Sequence, residues 1–437
     1  MGNVSARYTE LDSSMLPQTL HDAVAATRGL GLKYLWVDSL CILQDDPDDW
    51  SREASNMANI YSGAHVVLAA TFPEDCTQGF LHARPTPLAI RFGETGKSRA
   101  EVHATYNRTH DCWDHSHRND LAIFKRAWCM QERFLARRIL YFMQDEIHFQ
   151  CQEVRLCECD SSHKSYVDPV KAEDIIGNYD PYTLAATECF MLLQAKEPLE
   201  SSFPMSFGLL WAGVVQEYSQ LNLTYHEDVL PALSGIAHEI SQHHPGRYLA
   251  GLWQRDLAIQ LAWQPVISSS DGKECSVERT RNPGPSFSWI SWPGFVYFWI
   301  DLDSNMELVP ICAFESSDIQ LATDDPFGRV LADSCICIQG YAADILQAGL
   351  DINDDDLDNG SAYSQLSGAN GSSLMILGLY KCAYKDDENG RLGSALVTGL
   401  LLQPRDNVSE YVRVGVINEV PAAQFYAVAR EGSFTIV

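Results

Sequence analysis

The chain has 437 residues and a net charge of −27, with 58 acidic against 31 basic residues. A chain of this length is expected to form two or three domains, and the absence of any Lys/Arg cluster argues against nucleic acid or an anionic membrane as the main partner. Its start lacks the apolar core of a signal peptide, and no run approaches the roughly 20 apolar residues that a membrane span needs. We therefore expect a cytoplasmic protein.

The most ordered pattern lies between residues 17 and 71. Helical spacing predicts a helix over Pro17–Arg28, and the apolar run Tyr34–Val37 predicts a buried strand. Asp38 would then lie at the carboxyl end of that strand, where open α/β sheets keep their ligands. A helix starting at Asp45-Asp46-Pro47 and a strand over 65–71 complete a βαβ unit, which indicates an α/β fold with a parallel sheet.

The next segment extends the same domain. Alternating residues predict a peripheral hairpin of Leu88–Phe92 with Glu101–Tyr106. A helix is predicted over Asp120–Ala136, followed by short strands over Arg138–Met143 and Glu146–Cys151.

The pattern changes after residue 152. We predict one domain over 1–152, a mainly helical region over 153–265 and an antiparallel β-rich region over 266–437. The acidic, Gly/Ser-rich segment 351–373 is predicted to be a disordered loop between strands. The clearest predicted strands are Phe295–Ile300, Cys335–Gly340, Leu374–Tyr380, Ala395–Leu402 and Val412–Val416.

Two segments contain residue types that are typical of zinc and calcium sites, but we predict no metal site in either. The spacing of His110, Cys112, His115 and His117 matches none of the usual zinc templates. The segment from Asp351 resembles a calcium loop, yet it lacks the glycine and the glutamate that such a loop needs at its sixth and twelfth positions.

Two long motifs, in the same order, resemble the heterokaryon-incompatibility (HET) domain of filamentous fungi. The first consists of Leu16-Pro17, Asp22-Ala23, Leu30-Gly31, Tyr34–Ile42, Gln44-Asp45, Trp50, Met57, Ile60-Tyr61 and Ala69-Ala70. The second consists of Arg126–Arg133 followed by Arg138–Leu140. The resemblance covers roughly residues 15–152, and the strand that usually opens such domains is missing before the first helix.

The resemblance implies a fold like that of Toll/interleukin-1 receptor (TIR) domains, a flavodoxin-like parallel sheet with flanking helices. It also implies a site, because Trp128-Cys129-x-x-Glu132 looks like the TIR helix whose glutamate cleaves the nicotinamide bond of NAD. Glu132 is then the candidate catalytic carboxylate, with Asp38, Trp36 and Trp128 as candidate NAD-binding residues.

Each of these residues also has a purely structural interpretation. Glu132 could pair with Arg126, Arg133 or Arg137 at a helix end. Asp38 could cap the following loop through its own backbone hydrogen bonds, and aromatic residues in apolar runs, such as the two tryptophans, are more often part of a core.

The resemblance leaves three functions open. The first is heterokaryon incompatibility, in which the domain acts in non-self recognition or regulated cell death, with no cofactor and with a protein partner or self-association through the C-terminal region. The second is TIR-like NAD hydrolysis by Glu132, with NAD as substrate. The third is recruitment as an enzyme of a secondary-metabolite pathway, with a small-molecule ligand.

Overall fold

The structure is a computed structural model. It divides into two compact units, residues 1–169 and 170–437. The described residues are 15–84, 88–92, 100–104, 121–151, 154–158, 160–166, 189–190, 193, 206–266, 284–298, 306–352, 356–358, 374–384, 395–405 and 410–437. The opening residues, the histidine-rich segment 110–117 and most of the acidic segment 351–373 therefore lie outside the described part.

The N-terminal unit contains four helices and a 3₁₀ turn among its described residues. They are α1 Gln18–Gly29, α2 Asp38–Cys41, α3 Pro47–Gly63, a 3₁₀ turn Ala122–Lys125 and α4 Ala127–Leu135. At the start of α3, the Asp46 carboxylate accepts hydrogen bonds from the backbone N–H of Asp48 at 3.1 Å and of Asp49 at 3.2 Å. Pro47 occupies the first helical position, where a missing N–H costs nothing. The predicted start of this helix is confirmed.

The sheet of this unit is mixed, and the prediction of a parallel sheet is wrong for most of it. Its strand order is β1-β4-β5-β6-β7, and only β1 and β4 run parallel. The strands are β1 Val67–Ala70, β4 Arg138–Phe142, β5 Ile147–Cys151, β6 Val154–Cys157 and β7 Asp160–Tyr166, and the predicted hairpin forms separately from β2 Leu88–Phe92 and β3 Ala100–Ala104. The α/β class is confirmed.

The predicted strand Tyr34–Val37 does not form. Residues 32–37 adopt no regular structure, and the carbonyl of Val37 instead accepts hydrogen bonds from the N–H of Leu40 and of Cys41 at 3.0 and 2.9 Å. The chain thus enters α2 directly after Val37, and this carbonyl is not available to a sheet. Among the described residues, β1 pairs with β4 alone.

Alternate residues of β1 and β4 pack on opposite faces of the sheet. One face packs against α1 and Phe80, and the other against the 3₁₀ turn. The predicted helix over Asp120–Ala136 is interrupted because Arg126 has extended backbone angles, with φ −100° and ψ 128°. Helix α4 therefore starts afresh at Ala127.

The C-terminal unit begins with helices. These and the short elements that follow are α5 Phe207–Tyr218, a 3₁₀ turn His226–Asp228, α6 Pro231–His243, β8 Tyr248–Leu249, β9 Leu252–Trp253, α7 Leu257–Gln260, β10 Trp263–Pro265, a 3₁₀ turn Trp289–Ser291 and β11 Val296–Phe298. Helix α5 is buried along most of its length, as its apolar sequence predicts.

A seven-stranded, largely antiparallel sheet forms the rest of this unit and confirms the predicted β-rich region. Its order is β12-β15-β16-β17-β18-β14-β13, and β14 also pairs with β15, so that five of the strands close into a ring. The remaining elements are β12 Met306–Pro310, β13 Cys312–Asp318, β14 Cys335–Asp344, α8 Ile345–Ala348, β15 Met375–Tyr384, β16 Leu396–Pro404, β17 Glu410–Pro421, α9 Ala422–Val428 and β18 Arg430–Ile436. In the described part of the chain, no helix is both long enough and apolar enough to cross a membrane.

Candidate functional site

A cavity of about 700 Å³ lies within the N-terminal unit. Its walls come from α1, the irregular segment 32–37, the start of α2 and the end of α3. Residues of β1 and those just before it, Phe80, and Glu132 of α4 complete them. The lining is largely apolar, with the carboxylates of Asp38 and Glu132 and the hydroxyl of Tyr61 among its polar groups. A mainly apolar cavity of this size with a few polar groups is typical of a small-molecule site.

Packing of α3 against α4 brings Glu132 to the cavity. The rings of Trp50 on α3 and Trp128 on α4 meet edge to face, with centroids 6.2 Å apart. Glu132 lies one turn beyond Trp128 and is half-buried. The end of α3 places Tyr61 against it.

Two polar side chains lie close enough to the Glu132 carboxylate to act on its pKa. One is the hydroxyl of Tyr61, and the other is the thiol of Cys129, one turn earlier on α4. Burial raises the pKa of Glu132, and the negative charge of Asp38 raises it further. The positive charge of Arg126 and the polar groups of Tyr61 and Cys129 lower it, since each favours the ionised form.

The Tyr61 hydroxyl and the Cys129 thiol are held in their protonated forms. Burial, followed by the charges of Glu132 and Asp38, raises the pKa of Tyr61 well above its ordinary value. Burial and the Glu132 charge raise the pKa of Cys129 to about 12. Both groups are therefore neutral at physiological pH, and the thiol is a hydrogen-bond donor and not a nucleophile.

Asp38 makes a local hydrogen bond and also lies at the cavity. Its carboxylate accepts a hydrogen bond from the N–H of Ser39 at 2.6 Å, within the first turn of α2. It also lines the cavity and acts electrostatically on Glu132. The local hydrogen bond therefore does not remove Asp38 from the cavity wall, and its role towards a ligand stays a prediction.

Three of the four sequence-predicted site residues line this one cavity: Trp36, Asp38 and Glu132. Trp128 is not among the lining residues and packs against Trp50 instead. Within the described ranges, no group of three His, Cys, Asp or Glu side chains is placed to hold a metal ion.

Sequence reasoning missed the parts played by Tyr61 and Cys129. Tyr61 belongs to the apolar stripe of α3, and nothing in that stripe indicates that its hydroxyl contacts a carboxylate on another helix. The spacing of Cys129 and Glu132, by contrast, is that of neighbours on a helix surface, and it could have suggested their contact.

The charged side chains that line this cavity are those of Lys33, Asp38 and Glu132. Two acidic side chains provide acceptors and negative charge, while Trp36 provides an aromatic face. A carboxylate held at the wall of a cavity can stabilise positive charge that develops in a substrate.

Comparison with known proteins identifies the segment that holds this cavity. Residues 3–132 match the family model described as "Heterokaryon incompatibility protein (HET)". All of the cavity-lining residues fall within the matched segment, and Glu132 is its last residue. No curated protein and no solved structure matches the chain.

Proposed function

We propose that this chain, which carries a HET domain over residues 3–132, acts in heterokaryon incompatibility as an effector of regulated cell death. We further propose that it does so by hydrolysing NAD in the cavity of the N-terminal unit. The family match supports the first statement. The observation that carries the second is the half-buried Glu132 carboxylate at the wall of a cavity of about 700 Å³ that Asp38 and Trp36 also line.

The proposed reaction breaks the bond between the ribose C1′ and the nicotinamide nitrogen. The bonding pair leaves with nicotinamide, which thereby becomes neutral, and the ribose carbon acquires oxocarbenium character. The ionised Glu132 carboxylate stabilises this charge. Water then adds to C1′ and releases a proton, so that the products are nicotinamide, ADP-ribose and a proton. Neither an oxidant nor a metal is needed.

Two further residues have roles in this proposal. The Asp38 carboxylate accepts hydrogen bonds from the ribose hydroxyls. The Trp36 ring, which lines the same cavity, packs against the nicotinamide, since flat rings stack well on tryptophan.

The deciding experiment measures NAD consumption by the purified full-length chain at high protein concentration. We expect slow turnover by the wild type and its loss in both Glu132→Gln and Glu132→Ala. Glu74→Gln is the matched control, because Glu74 is an exposed carboxylate of the same unit that does not line the cavity. If the wild type, intact by circular dichroism, leaves NAD unchanged, the hydrolase proposal fails.

A second experiment tests the cellular role. The full-length chain is expressed in a filamentous fungus beside Glu132→Gln, at equal protein levels, and cell death is scored with a viability dye. Death with the wild type but not with the variant would support NAD hydrolysis by Glu132 as the cause of cell death. Equal death with both would retain the incompatibility role and exclude hydrolysis as its cause.

The C-terminal unit is proposed to regulate this activity through a protein partner or through self-association. This proposal is supported by the division of the chain, because residues 170–437 form a compact unit of their own. The expected result is that residues 1–169 alone kill fungal cells more strongly than the full chain. Equal toxicity would count against regulation.

A further inference from the structure

We propose that the cavity of the N-terminal unit is a docking site for an extended apolar segment of a partner protein, which pairs as a β-strand with β1 and with residues 33–36. The partner is a different protein of net positive charge, and its segment is flanked by Lys or Arg. This inference goes beyond the proposed function, because it concerns the backbone edges at the cavity and not the reaction.

One of these edges belongs to β1. Among the described residues, β1 pairs with β4 alone, and the N–H of Thr71, directly after β1, donates to the carbonyl of Phe142 of β4 at 3.3 Å. Since the backbone groups of successive residues in a strand point to opposite edges, those of Leu68 and Ala70 point away from β4. Both residues line the cavity. The edge of β1 that β4 leaves unpaired therefore borders the cavity.

The second edge is the irregular segment 33–36. All four residues line the cavity. In the described part of the chain, none of their backbone N–H or C=O groups forms a hydrogen bond. Backbone groups of this kind need water or another strand as a partner, and an open edge beside apolar side chains invites a strand.

The apolar side chains at these edges are incompletely covered. Tyr34 is 92% exposed, and residues 35–37 and 66–68 are only half-buried. Exposed apolar surface of this kind is typical of a site that a partner covers. Together with two unpaired edges it fits β-strand addition, in which main-chain hydrogen bonds provide affinity and side-chain contacts provide specificity.

Charge selects the kind of partner. The chain has a net charge of −27, so two copies repel each other. The cavity itself has two carboxylates, those of Asp38 and Glu132, against the one ammonium group of Lys33. A segment with basic residues at its ends is therefore favoured in whichever direction it enters.

The sequence before α1 does not supply such a segment. A strand that is buried between two neighbours is nearly continuous in apolar residues. Residues 1–14 contain no run of four apolar residues, so we assign the segment to another protein.

A bound strand would fill the space in which we place NAD. Binding of the partner would then suppress the hydrolysis proposed above. This consequence alone rests on the proposed function.

The experiment measures binding of a synthetic peptide to the full-length protein by fluorescence anisotropy. The probe is fluorescein-labelled Lys-Val-Ile-Val-Ile-Lys, and saturable binding is expected. Two matched peptides, one N-methylated at both valines and one with Glu in place of both Lys residues, should bind about tenfold more weakly or worse. Absence of binding by the probe overturns the docking site. Equal binding of the N-methylated peptide overturns strand pairing, and equal binding of the Glu-flanked peptide overturns the choice of a basic partner.

Hydrogen exchange locates the bound peptide. Exchange at the N–H groups of residues 33–36, Leu68 and Ala70 should slow, while the β2–β3 hairpin stays unchanged. Protection that spares these residues would overturn the assignment of the two edges.

Tyr34→Asp tests the apolar contact, with Leu30→Asp as its matched control. Tyr34 lines the cavity, whereas Leu30 is an apolar residue of the same stretch that is 48% exposed and does not line it. Because both side chains are exposed, neither substitution disturbs the core. Tyr34→Asp should weaken peptide binding about tenfold, and Leu30→Asp should leave it unchanged. An equal effect of the two variants would contradict the proposed position of the segment.

NAD consumption is measured separately, with and without the peptide. A protein that binds the peptide at these edges but does not consume NAD upholds the docking site and overturns the hydrolase. Consumption that a saturating peptide concentration leaves unchanged upholds the hydrolase and overturns docking in this cavity.

Discussion

The guanidinium of Arg413 forms a two-point ion pair with Asp358 in the interior of the C-terminal unit. Nε lies 2.9 Å from Oδ2 and Nη2 lies 3.1 Å from Oδ1, and the two side chains are 0% and 5% exposed. The same guanidinium donates to the carbonyls of Leu261 and Trp263, and it lies 3.4 Å above the centre of the Trp263 ring. The side chain of Arg413 thus connects β17 by hydrogen bonds to Asp358 and to the residues at the start of β10.

Arg413→Ala should destabilise the C-terminal unit severely. It leaves the Asp358 carboxylate buried without its counter-charge, which costs about 3–5 kcal/mol. Arg413→Lys should lose a large part of the same energy, because an ammonium group cannot make the two-point pair or stack on the tryptophan. The measurement is urea unfolding of the full chain, followed by tryptophan fluorescence.

Arg405→Ala is the control for this prediction. Arg405 also pairs with a carboxylate, that of Glu410 at 3.6 Å, but the two side chains are 53% and 42% exposed. Exposed pairs contribute little, so a loss below about 1 kcal/mol is expected. A similar loss for both variants would show that burial does not set the strength of the Arg413 pair.

Gly251→Ala should also destabilise this unit, by about 2–4 kcal/mol. Gly251 has φ +95°, and a Cβ there would lie 2.8 Å from the indole nitrogen of Trp289. Its carbonyl accepts hydrogen bonds from the indole N–H of Trp211 and of Trp289, both at 2.9 Å, so a shift of the backbone would break two buried bonds.

Gly246→Ala provides the comparison. A Cβ at Gly246 meets nothing within 4 Å, and its φ is not in the left-handed region. The loss of a glycine at such a site is neutral or slightly stabilising. Thermal unfolding of the two variants should therefore differ by several degrees, and equal midpoints would contradict the strain assigned to Gly251.

Asp22→Ala should loosen the wall of the cavity. The buried Asp22 carboxylate accepts hydrogen bonds from the backbone N–H of Phe80 at 2.7 Å and of Leu81 at 2.8 Å, and from the side-chain amide of Gln18 at 2.9 Å. Its removal leaves backbone donors without an acceptor, at about 1–3 kcal/mol. Phe80 lines the cavity, so faster hydrogen exchange is expected at residues 79–81.

Asp75→Ala tests whether any loop carboxylate would have this effect. Asp75 also accepts a backbone hydrogen bond, from Thr77 at 2.8 Å, but at an exposed position. Its removal should speed exchange only locally and leave residues 79–81 unchanged. The Asp22 prediction is wrong if both variants alter exchange at Phe80 equally.

Much of the N-terminal unit could be predicted from sequence, because its signals are local. Asp46 and Pro47 fix the start of α3, and the apolar run over 67–70 forms β1. The segment Tyr34–Val37 carries an equally good strand pattern, yet it stays unpaired. A short apolar run predicts that its side chains will be buried. It does not predict whether the segment pairs in a sheet or lines a cavity.

In the candidate site, too, some residues could be predicted from the sequence and others could not. Glu132, Asp38 and Trp36 could be proposed from motifs, and they do line one cavity. The contact of Tyr61 with Glu132 depends on how α3 packs against α4, and no local pattern encodes that packing. Burial of Arg413 could likewise not be predicted, since the partners of its side chain come from two distant stretches of the chain, residues 261–263 and residue 358.

The raised pKa of Glu132 makes the stability of the N-terminal unit depend on pH. Because burial and Asp38 raise the pKa in the folded state, the folded protein binds more protons than the unfolded chain between the two pKa values. Its stability therefore falls as the pH rises from the ordinary glutamate pKa, about 4.3, through the raised native value. Glu132→Gln cannot ionise and should not show this loss.

The expected outcome is that Glu132→Gln equals the wild type below this window and exceeds it in stability above it. Hydrogen exchange of α4 amides in increasing urea, at several pH values from 4 to 8, measures the difference within the N-terminal unit. Glu74→Gln should follow the wild type at every pH, because Glu74 is exposed. If the difference in the free energy of unfolding between Glu132→Gln and the wild type is the same at every pH, the pKa of Glu132 is not raised in the folded protein. A difference in the free energy of unfolding that grows with pH would show that the ionised Glu132 carboxylate destabilises the fold. Such a cost is expected of a group that is retained for its chemistry.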